Sequence, residues 1–275
     1  MPHMAVGDTR VHYEVHGSGE PLLLITGLCG DLTSWKKAMP LLDKDHKVIT
    51  IDNRGAGKTE HPGRPFTMED LADDASGLLD GLGIKKAHVL GASMGGNVAQ
   101  ELTLRHPDQV ATLTLMSTYM RRPERSSVGI DAMINTVREG ASIETFLTMM
   151  QAWCLTNAAF RGRENVAQNQ RRGARERDLD LVDGFARQKT ALDNFDSHER
   201  VRAIKAPTLV IHGNEDIMVP YRFGEELASR IVGSKLVLLD GCGHIIAPDR
   251  YCRLVLDFVK EHPIGTGFTG TSLLH

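Results

Sequence analysis

The chain has 275 residues, of which 41% are hydrophobic and 24% are charged, and its formal net charge is −3. This length and composition fit one globular domain with a large core. The small net charge argues against a nucleic-acid partner, and no apolar run reaches the roughly 18 residues that a membrane span needs.

The N-terminal third predicts strands followed by a helix. Val11–Val15 alternates in polarity and ends at a glycine-rich turn signal, after which Pro21–Ile25 is a continuous apolar run. The two segments predict a hairpin that leads into a buried strand. Val48–Asp52 predicts a second buried strand, and Thr67–Leu82 predicts a helix capped by Thr67.

Residues 55–59 (GAGKT) resemble the end of a phosphate-binding loop. That motif needs a glycine five positions before its Gly-Lys pair, and this chain has Asp52 there. No clear helical pattern follows, so we do not expect a nucleotide site.

The most informative segment is Gly91–Gly95 (GASMG), a G-x-S-x-G pattern. It directly follows the apolar run Ala87–Leu90 and leads into a helical stretch, Met94–His106, that Pro107 ends. A sharp turn between strand and helix exposes the serine hydroxyl in a strained conformation, which requires very small flanking residues. The pattern therefore predicts that Ser93 is a nucleophile.

The middle of the chain departs from the strand–helix alternation. Val110–Met116 predicts a strand, but helical spacing replaces strand patterns between about residues 120 and 203. We expect this insertion to form a helical cap over the carboxyl edge of the sheet.

Six arginines between Arg161 and Arg177 are nearly balanced by acidic residues, which favours a solvated helical face. The candidates for an apolar substrate pocket, with packing of cap against core as the alternative, are Met133, Met150, Trp153 and, outside the insertion, Ile245.

The alternation then resumes with two strands and two helices, namely Pro207–Ile211, Arg222–Ile231, Leu236–Leu239 and Pro248–His262. Continuous apolar strands joined by amphipathic helices predict an α/β fold with a mostly parallel sheet covered on both faces. The expected organisation is a core formed by residues 1–119 and 204–262, a helical cap at 120–203, and an irregular tail at 263–275.

Candidate catalytic side chains follow the last two strands. In an open parallel sheet, ligand-facing groups lie beyond the carboxyl ends of the strands. His244, in a glycine-rich loop, is the expected general base, and Asp216 is the expected carboxylate that orients its imidazole. Glu215 is the adjacent rival, and Asp240 would compete only if its loop folded back. The chain order of Ser93, Asp216 and His244 is that of the α/β-hydrolase triad.

A tetrahedral intermediate of acyl transfer needs two backbone donors. The Met94 N–H is one candidate, because it lies at a helix N-terminus that favours negative charge. The other should come from the loop Thr26–Gly30, where Leu28 N–H is favoured because Gly27 lets the backbone turn inward.

The cysteines and the N-terminus predict the compartment. Residues 1–4 (MPHM) lack the basic and apolar regions of a signal peptide. Cys29, Cys154, Cys242 and Cys252 show no metal-type spacing and are expected to be reduced thiols. We therefore expect a cytoplasmic protein with neither a metal ion nor a membrane partner.

On these residues the chain resembles the α/β-hydrolase superfamily over roughly Val11–Val259, especially 3-oxoadipate enol-lactone hydrolases and cofactor-free haloperoxidase-like esterases. The stretches that carry the resemblance are Ile25–Trp35, Ile51–Gly55, Gly91–His106 and Pro207–Asp216. The resemblance implies a mixed sheet of about eight strands, a lid, and hydrolysis through an acyl-enzyme without a cofactor. It implies the same roles for the triad and the two amides named above. Thr26 departs from the family, since many members have histidine there.

The sequence therefore favours a serine hydrolase that cleaves a small carboxylic ester or lactone. One alternative is a carbon–carbon bond hydrolase of dienoate ring-cleavage products. Those enzymes resemble this fold but tend to place an aromatic residue directly after the catalytic histidine, where this chain has Ile245. Another alternative is a ligand receptor that kept the fold and lost turnover. The substrate and the oligomeric state stay open.

Overall fold

The computed structural model describes residues 2–60, 63–161 and 180–265, with the backbone alone at 180 and 181. Nearly all of the arginine-rich stretch and most of the predicted C-terminal tail lie outside these residues. The strands are β1 His3–Val6, β2 Thr9–His16, β3 Glu20–Ile25, β4 His46–Ile51, β5 Ala87–Ala92, β6 Val110–Met116, β7 Thr208–Gly213 and β8 Lys235–Leu239.

The α-helices within these ranges are α1 Met39–Leu42, α2 Met68–Gly81, α3 Met94–Arg105, α4 Glu124–Arg138, α5 Ile143–Cys154, α6 Asn157–Phe160, α7 Asp180–Asp193, α8 Arg222–Arg230 and α9 Pro248–Lys260. Thr67 caps α2 as predicted: its Oγ1 accepts from the Asp70 amide, and the Asp70 carboxylate accepts from the Thr67 amide. None of the helices within the described ranges combines the length and apolarity needed to cross a bilayer.

The eight strands form one sheet in the order β1-β2-β4-β3-β5-β6-β7-β8. The β1–β2 and β2–β4 pairs are antiparallel, and the other pairs are parallel. This confirms the predicted mostly parallel eight-stranded sheet.

The predicted hairpin between the second and third strands is wrong. β4 lies between β2 and β3, with Tyr13 opposite Ile51 on one side and Leu22 opposite Val48 on the other. The glycine-rich turn packs against the loop before β4 instead, since a Cβ on Gly17 would lie 2.3 Å from a backbone oxygen there. The largely apolar β3 thereby gains a parallel neighbour on each edge.

Side-chain alternation along β3 divides the core into two layers. Leu23 and Ile25 join a cluster with α2 and α3, whereas Leu22 and Leu24 join a cluster with α1 and α9. Because both faces of the sheet are covered, apolar residues predominate in the central strands. The turn after β4 wraps around the Asp52 carboxylate, which accepts from the Lys58 amide at 2.8 Å. The Lys58 amide, a donor of the kind that binds phosphate in such loops, is thus already used by a side-chain carboxylate.

The segment between β6 and β7 contains α4–α7 in its described residues, as its helical spacing predicts. Its backbone contacts the C-terminal part of the core, where the Ile245 amide donates to the Cys154 carbonyl at 3.1 Å. The division into core, cap and tail at residues 119/120, 203/204 and 262/263 stays a prediction.

Helix α3 approaches the sheet through two glycines. A Cβ on Gly95 would lie 2.1 Å from the Ile25 carbonyl oxygen, and a Cβ on Gly91 would lie 2.2 Å from the Gly95 oxygen. Backbone atoms cannot yield as the tip of a flexible side chain can, so these contacts exclude even a methyl group. The sharp turn around Ser93 therefore depends on both glycines.

We predict that Gly95→Ala lowers the free energy of unfolding by about 3 kcal/mol or more, as severe overpacking does. The better helix propensity of alanine, worth about 1 kcal/mol, cannot offset a clash with the Ile25 carbonyl. Urea denaturation measures the effect. Gly265→Ala is the control, because a Cβ on Gly265 would have no described atom within 4 Å, and it should change stability by less than about 0.5 kcal/mol. Equal stability of the two variants would contradict the tight packing of α3.

Candidate active site

Ser93 lies in the turn between β5 and α3, with a strained backbone. Its φ of 53° is in the left-handed region that serine rarely adopts. The Ser93 amide donates to the Met116 carbonyl at 2.8 Å, which fixes the turn against β6. The loop after β3 comes close to it, since a Cβ on Gly27 would lie 3.0 Å from Ser93 Cβ. The hydroxyl is therefore held at the carboxyl edge of the sheet.

Three of the predicted residues meet in one hydrogen-bonded path. His244 Nε2 lies 2.9 Å from Ser93 Oγ, and His244 Nδ1 lies 2.8 Å from Asp216 Oδ2. An ionised carboxylate can only accept, so Nδ1 carries the hydrogen toward Asp216 and Nε2 accepts from the Ser93 hydroxyl. The side chains of His244 and Asp216 are 9% and 0% exposed, so little water competes for these bonds.

The Asp216 carboxylate is held as an anion by several donors. Its Oδ1 accepts from the Val219 amide at 2.8 Å, and its Oδ2 lies 3.3 Å from His212 Nε2 as well as 2.8 Å from His244. Burial alone would raise the pKa of Asp216, but His244 and His212 outweigh it and lower the pKa to about 2. Asp216 is therefore ionised at neutral pH.

His212 is a second imidazole on this carboxylate that sequence reasoning did not single out. It is fully buried, and its Nε2 donates to the Val219 carbonyl at 2.8 Å. Gly224 packs against the other side of the ring, where a Cβ would lie 2.5 Å from Nδ1. The available signal was a histidine inside the apolar strand β7, four residues before Asp216.

The two rival carboxylates take other positions. Glu215 is exposed, and its amide donates to the Cys242 carbonyl at 2.9 Å. Asp240 is exposed, and its Oδ1 accepts from the Asn214 side chain at 2.7 Å. Asn214 also accepts from the Gly241 amide, which ties the loops after β7 and β8 together.

The two amides expected to face an oxyanion lie beside Ser93 in sequence or in space. Met94 is the first residue of α3, where an amide has no intrahelical partner. Leu28 follows Gly27 in the loop that approaches Ser93. Within the described part of the chain, neither amide donates to a protein acceptor.

A cavity of about 900 Å³ reaches Ser93 and His244 and extends beneath the inserted helices. Of the four predicted pocket residues, Met150 and Ile245 line it, whereas Met133 and Trp153 do not. Met133 is buried in the core, and Trp153 packs over Gly129 on α4. On α5 the residues that face the cavity recur at helical spacing and leave Trp153 on the neighbouring face, namely Phe146, Leu147, Met150, Gln151 and Cys154.

Two polar residues in the cavity wall, Tyr119 and Arg122, were also missed by sequence reasoning. Both follow the end of β6 closely. Their position beyond the carboxyl end of a parallel strand was the signal that could have identified them.

None of the four cysteines forms a disulfide bond. Cys154 and Cys29 lie in the cavity wall, and burial raises the pKa of the Cys154 thiol to about 12. Within the described ranges, no group of three or more His, Cys, Asp or Glu side chains is placed to hold a metal ion.

Comparisons with known proteins identify the class. Residues 20–251 match the model of the alpha/beta hydrolase fold family. A protein of Pseudomonas sp. strain CF600 named 2-hydroxymuconate semialdehyde hydrolase is 31% identical over 270 residues, which cover 92% of this chain and 91% of its own. A candidate carbamate hydrolase, RutD, of Azorhizobium caulinodans is 27% identical over 275 residues, which cover 95% and 99% of the two chains.

Among solved structures, the enol-lactonase of Burkholderia xenovorans LB400 aligns with a TM-score of 0.84 and 29% identity, covering 94% of this chain and all of its own. The chain therefore belongs to the alpha/beta hydrolase fold family, and we conclude that it is a hydrolase.

We predict that Cys154 resists alkylation by iodoacetamide at pH 8. With a pKa of about 12, about 1 in 10⁴ molecules carries the reactive thiolate at that pH. Peptide mass spectrometry measures the modification, and protein unfolded in urea provides the fully reactive reference. Rapid alkylation of Cys154 in the folded protein, with loss of activity, would contradict the assignment of this thiol as a buried bystander.

Proposed function

We propose that the protein is a serine hydrolase that cleaves a small carboxylic ester or lactone through an acyl-enzyme. The observation that carries the proposal is the path of 2.8 Å and 2.9 Å contacts from Asp216 through His244 to Ser93, at the wall of a cavity of about 900 Å³. A serine hydroxyl becomes a strong nucleophile when an oriented imidazole accepts its proton.

In the first half of the reaction, His244 Nε2 takes the Ser93 proton as Oγ attacks the carbonyl carbon. The amides of Leu28 and Met94 donate to the oxyanion, and Asp216 stabilises the imidazolium. The intermediate then collapses, and His244 protonates the departing alkoxide oxygen. Ser93 is left as an ester of the substrate acid.

In the second half, water attacks this acyl-enzyme. His244 accepts a proton from the water, and the second tetrahedral intermediate is stabilised by the same two amides. Its collapse returns the proton to Ser93 Oγ and releases the acid. For a lactone, the alcohol and the acid leave as one molecule.

The relatives support a reaction at a carbonyl carbon without fixing the substrate. The names of the similar proteins denote a lactonase, a semialdehyde hydrolase and a candidate carbamate hydrolase. An ester or lactone suits the wall of the cavity, in which apolar side chains predominate.

Carbon–carbon bond hydrolysis is the second candidate, favoured by the 31% identity to the semialdehyde hydrolase. Ile245 lines the cavity directly after His244, in place of the aromatic residue that those enzymes tend to carry. Parallel assays with a coloured dienoate, an aryl carbamate, short-chain esters and lactones separate the candidates. Faster turnover of the dienoate than of every ester and lactone would replace our proposal.

A receptor that kept the fold is the third hypothesis, and active-site labelling tests it. A fluorophosphonate probe should react with Ser93, because the reagent requires an activated serine. If the probe leaves Ser93 unmodified in the folded protein, the receptor hypothesis is favoured.

We predict that Ser93→Ala lowers kcat for a 4-nitrophenyl ester by about 10³-fold or more, because the nucleophile is lost. Ser229→Ala is the control; its hydroxyl bonds the Glu226 carbonyl of its own helix, and the variant should keep wild-type kcat. Far-ultraviolet circular dichroism checks that both variants are folded. Unchanged turnover by Ser93→Ala would reject Ser93 as the nucleophile.

We also predict that Asp216→Asn lowers kcat by about 10⁴-fold, because an amide does not hold the imidazole tautomer that accepts the serine proton. The matched charge-neutralising variants Glu215→Gln and Asp240→Asn should stay within about 3-fold of wild type. Steady-state kinetics on one ester decides among the three carboxylates. A larger loss in Glu215→Gln or Asp240→Asn than in Asp216→Asn would reassign the orienting group.

A further inference from the structure

His212 lies near the end of β7, a strand whose residues are all buried. Its side chain is fully buried, and its Nδ1 has no hydrogen-bond partner among the described residues. A buried polar atom without a partner destabilises a fold, and an apolar side chain would avoid this cost. Packing alone therefore does not account for a histidine at this position, which points to the contacts of its Nε2.

The Nε2 atom of His212 faces two oxygens. It lies 2.8 Å from the Val219 carbonyl oxygen and 3.3 Å from Asp216 Oδ2. A carbonyl oxygen and an ionised carboxylate can only accept, so Nε2 carries a hydrogen. One N–H therefore serves both oxygens, as in a three-centre hydrogen bond. His212 thus connects the Asp216 carboxylate to the backbone three residues further along the chain.

Val219 completes a closed set of hydrogen bonds around the carboxylate. Its amide donates to Asp216 Oδ1 at 2.8 Å, and its carbonyl oxygen accepts from His212. The two carboxylate oxygens are therefore held by different donors, because His212 reaches Oδ2. Rotation of the carboxylate would break at least one of these bonds. The arrangement keeps Oδ2 at 2.8 Å from His244 Nδ1.

The imidazole of His212 has no room to swing away from the carboxylate. Gly224 on α8 packs against the opposite side of the ring, where a Cβ would lie 2.5 Å from Nδ1 and 3.1 Å from Cγ. The ring is thus confined between a helix and Asp216. His212 is not among the described residues that line the cavity, so any effect on a substrate has to pass through Asp216.

We propose that His212 is a positioning residue, whose Nε2–H fixes the Asp216 carboxylate in the orientation that His244 requires. This inference rests on the function proposed above and adds a residue to its machinery. An imidazole accepts the serine proton only when a carboxylate holds it in the right tautomer and orientation. A carboxylate that is free to rotate does this less well, so loss of the N–H should slow turnover and spare substrate binding.

Two substitutions of similar size separate the N–H from the space that the ring fills. Glutamine can place an amide N–H near the position of Nε2, whereas methionine has no donor. His212→Met should lower kcat for a 4-nitrophenyl ester by about 10- to 100-fold, as expected when a hydrogen bond to a charged group is lost. KM should change by less than about 3-fold, because no contact with the substrate is removed. His212→Gln should keep kcat within about 5-fold of wild type, since the donor is restored.

His88→Met is the matched control. His88 is also fully buried in a strand, with its ring nitrogens 2.9 Å from Thr112 Oγ1 and 3.2 Å from Glu20 Oε2. It lies near the start of β5, whereas Ser93 follows the end of that strand. The variant should keep kcat within about 3-fold of wild type. Far-ultraviolet circular dichroism checks folding, and urea denaturation compares the stability of the variants.

Several kinetic outcomes would overturn the positioning role. Unchanged kcat in folded His212→Met would show that the N–H is not needed. Equal losses in His212→Met and His212→Gln would assign the effect to the shape of the ring. A loss expressed in KM alone would place the effect on substrate binding, and the same loss in His88→Met would make it a general consequence of core substitution.

Proton magnetic resonance provides a readout that does not need turnover. The proton between His244 Nδ1 and Asp216 should give a far-downfield signal in wild type that is absent from Asp216→Asn. The signal should disappear in His212→Met and persist in His212→Gln, and its persistence in both would reject the proposal. If His212→Met does not fold, nitrogen resonance of wild type with isotope-labelled histidine decides. A hydrogen on His212 Nε2 supports the proposal, and a hydrogen on Nδ1 alone rejects it.

Failure of the proposed function gives a different result from failure of this inference. If wild type hydrolyses no ester or lactone but the downfield signal depends on His212 as described, ester hydrolysis is rejected and the positioning role is supported. Without turnover, any other pattern of the signal rejects both. If wild type is active and neither kcat nor the signal responds to His212→Met, only the positioning role is rejected.

Discussion

The hydrogen-bonded path from Asp216 through His244 to Ser93 depends on the carboxyl ends of three parallel strands meeting at one edge of the sheet. β5, β7 and β8 each place one of these side chains just beyond their last residue. Local backbone fixes the two ends of the path, because the Ser93 amide bonds to β6 and the Val219 amide bonds to Asp216. Two imidazoles keep the buried carboxylate ionised. The sheet thus supplies both the geometry and the charge on which a nucleophilic serine relies.

Features that depend on local sequence could be predicted from the chain alone. The pattern Gly91–Gly95 needs only its flanking strand and helix, because the close approach of α3 is a property of the turn itself. The meeting of His244 and Asp216 with Ser93 could be predicted because each of the two follows an apolar strand, and parallel strands bring their carboxyl ends together. The Thr67 cap is equally local. For the turn and the cap, neighbours in sequence determine the physical environment. For His244 and Asp216, the long-range part follows from the rule that parallel strands end at one edge of the sheet.

Features that depend on long-range packing could not be predicted in the same way. The hairpin prediction failed because strand order is set by which neighbours bury the apolar β3, and β4 does this better than the alternating β2. Apolar character made Trp153 a candidate for the pocket without deciding which face of α5 meets the cavity. The buried position of Arg122 was missed because it depends on the ion pair with Asp193, which lies 71 residues away in the sequence. A single sequence does not show which distant residues come into contact.

The inserted helices contact the loops next to Ser93 in addition to lining the cavity. Gln188 on α7 accepts from the Cys29 amide at 3.1 Å and donates to the Arg54 carbonyl at 2.8 Å, so one side chain joins the loops after β3 and β4. Gly184 lies so close to Gly55 that a Cβ on it would be 2.2 Å from the Gly55 oxygen. Leu28, whose amide we assign to the oxyanion, directly precedes Cys29. In the mechanism proposed above, a shift of α7 that reshapes the substrate cavity would also move this amide, which would couple substrate choice to transition-state stabilisation.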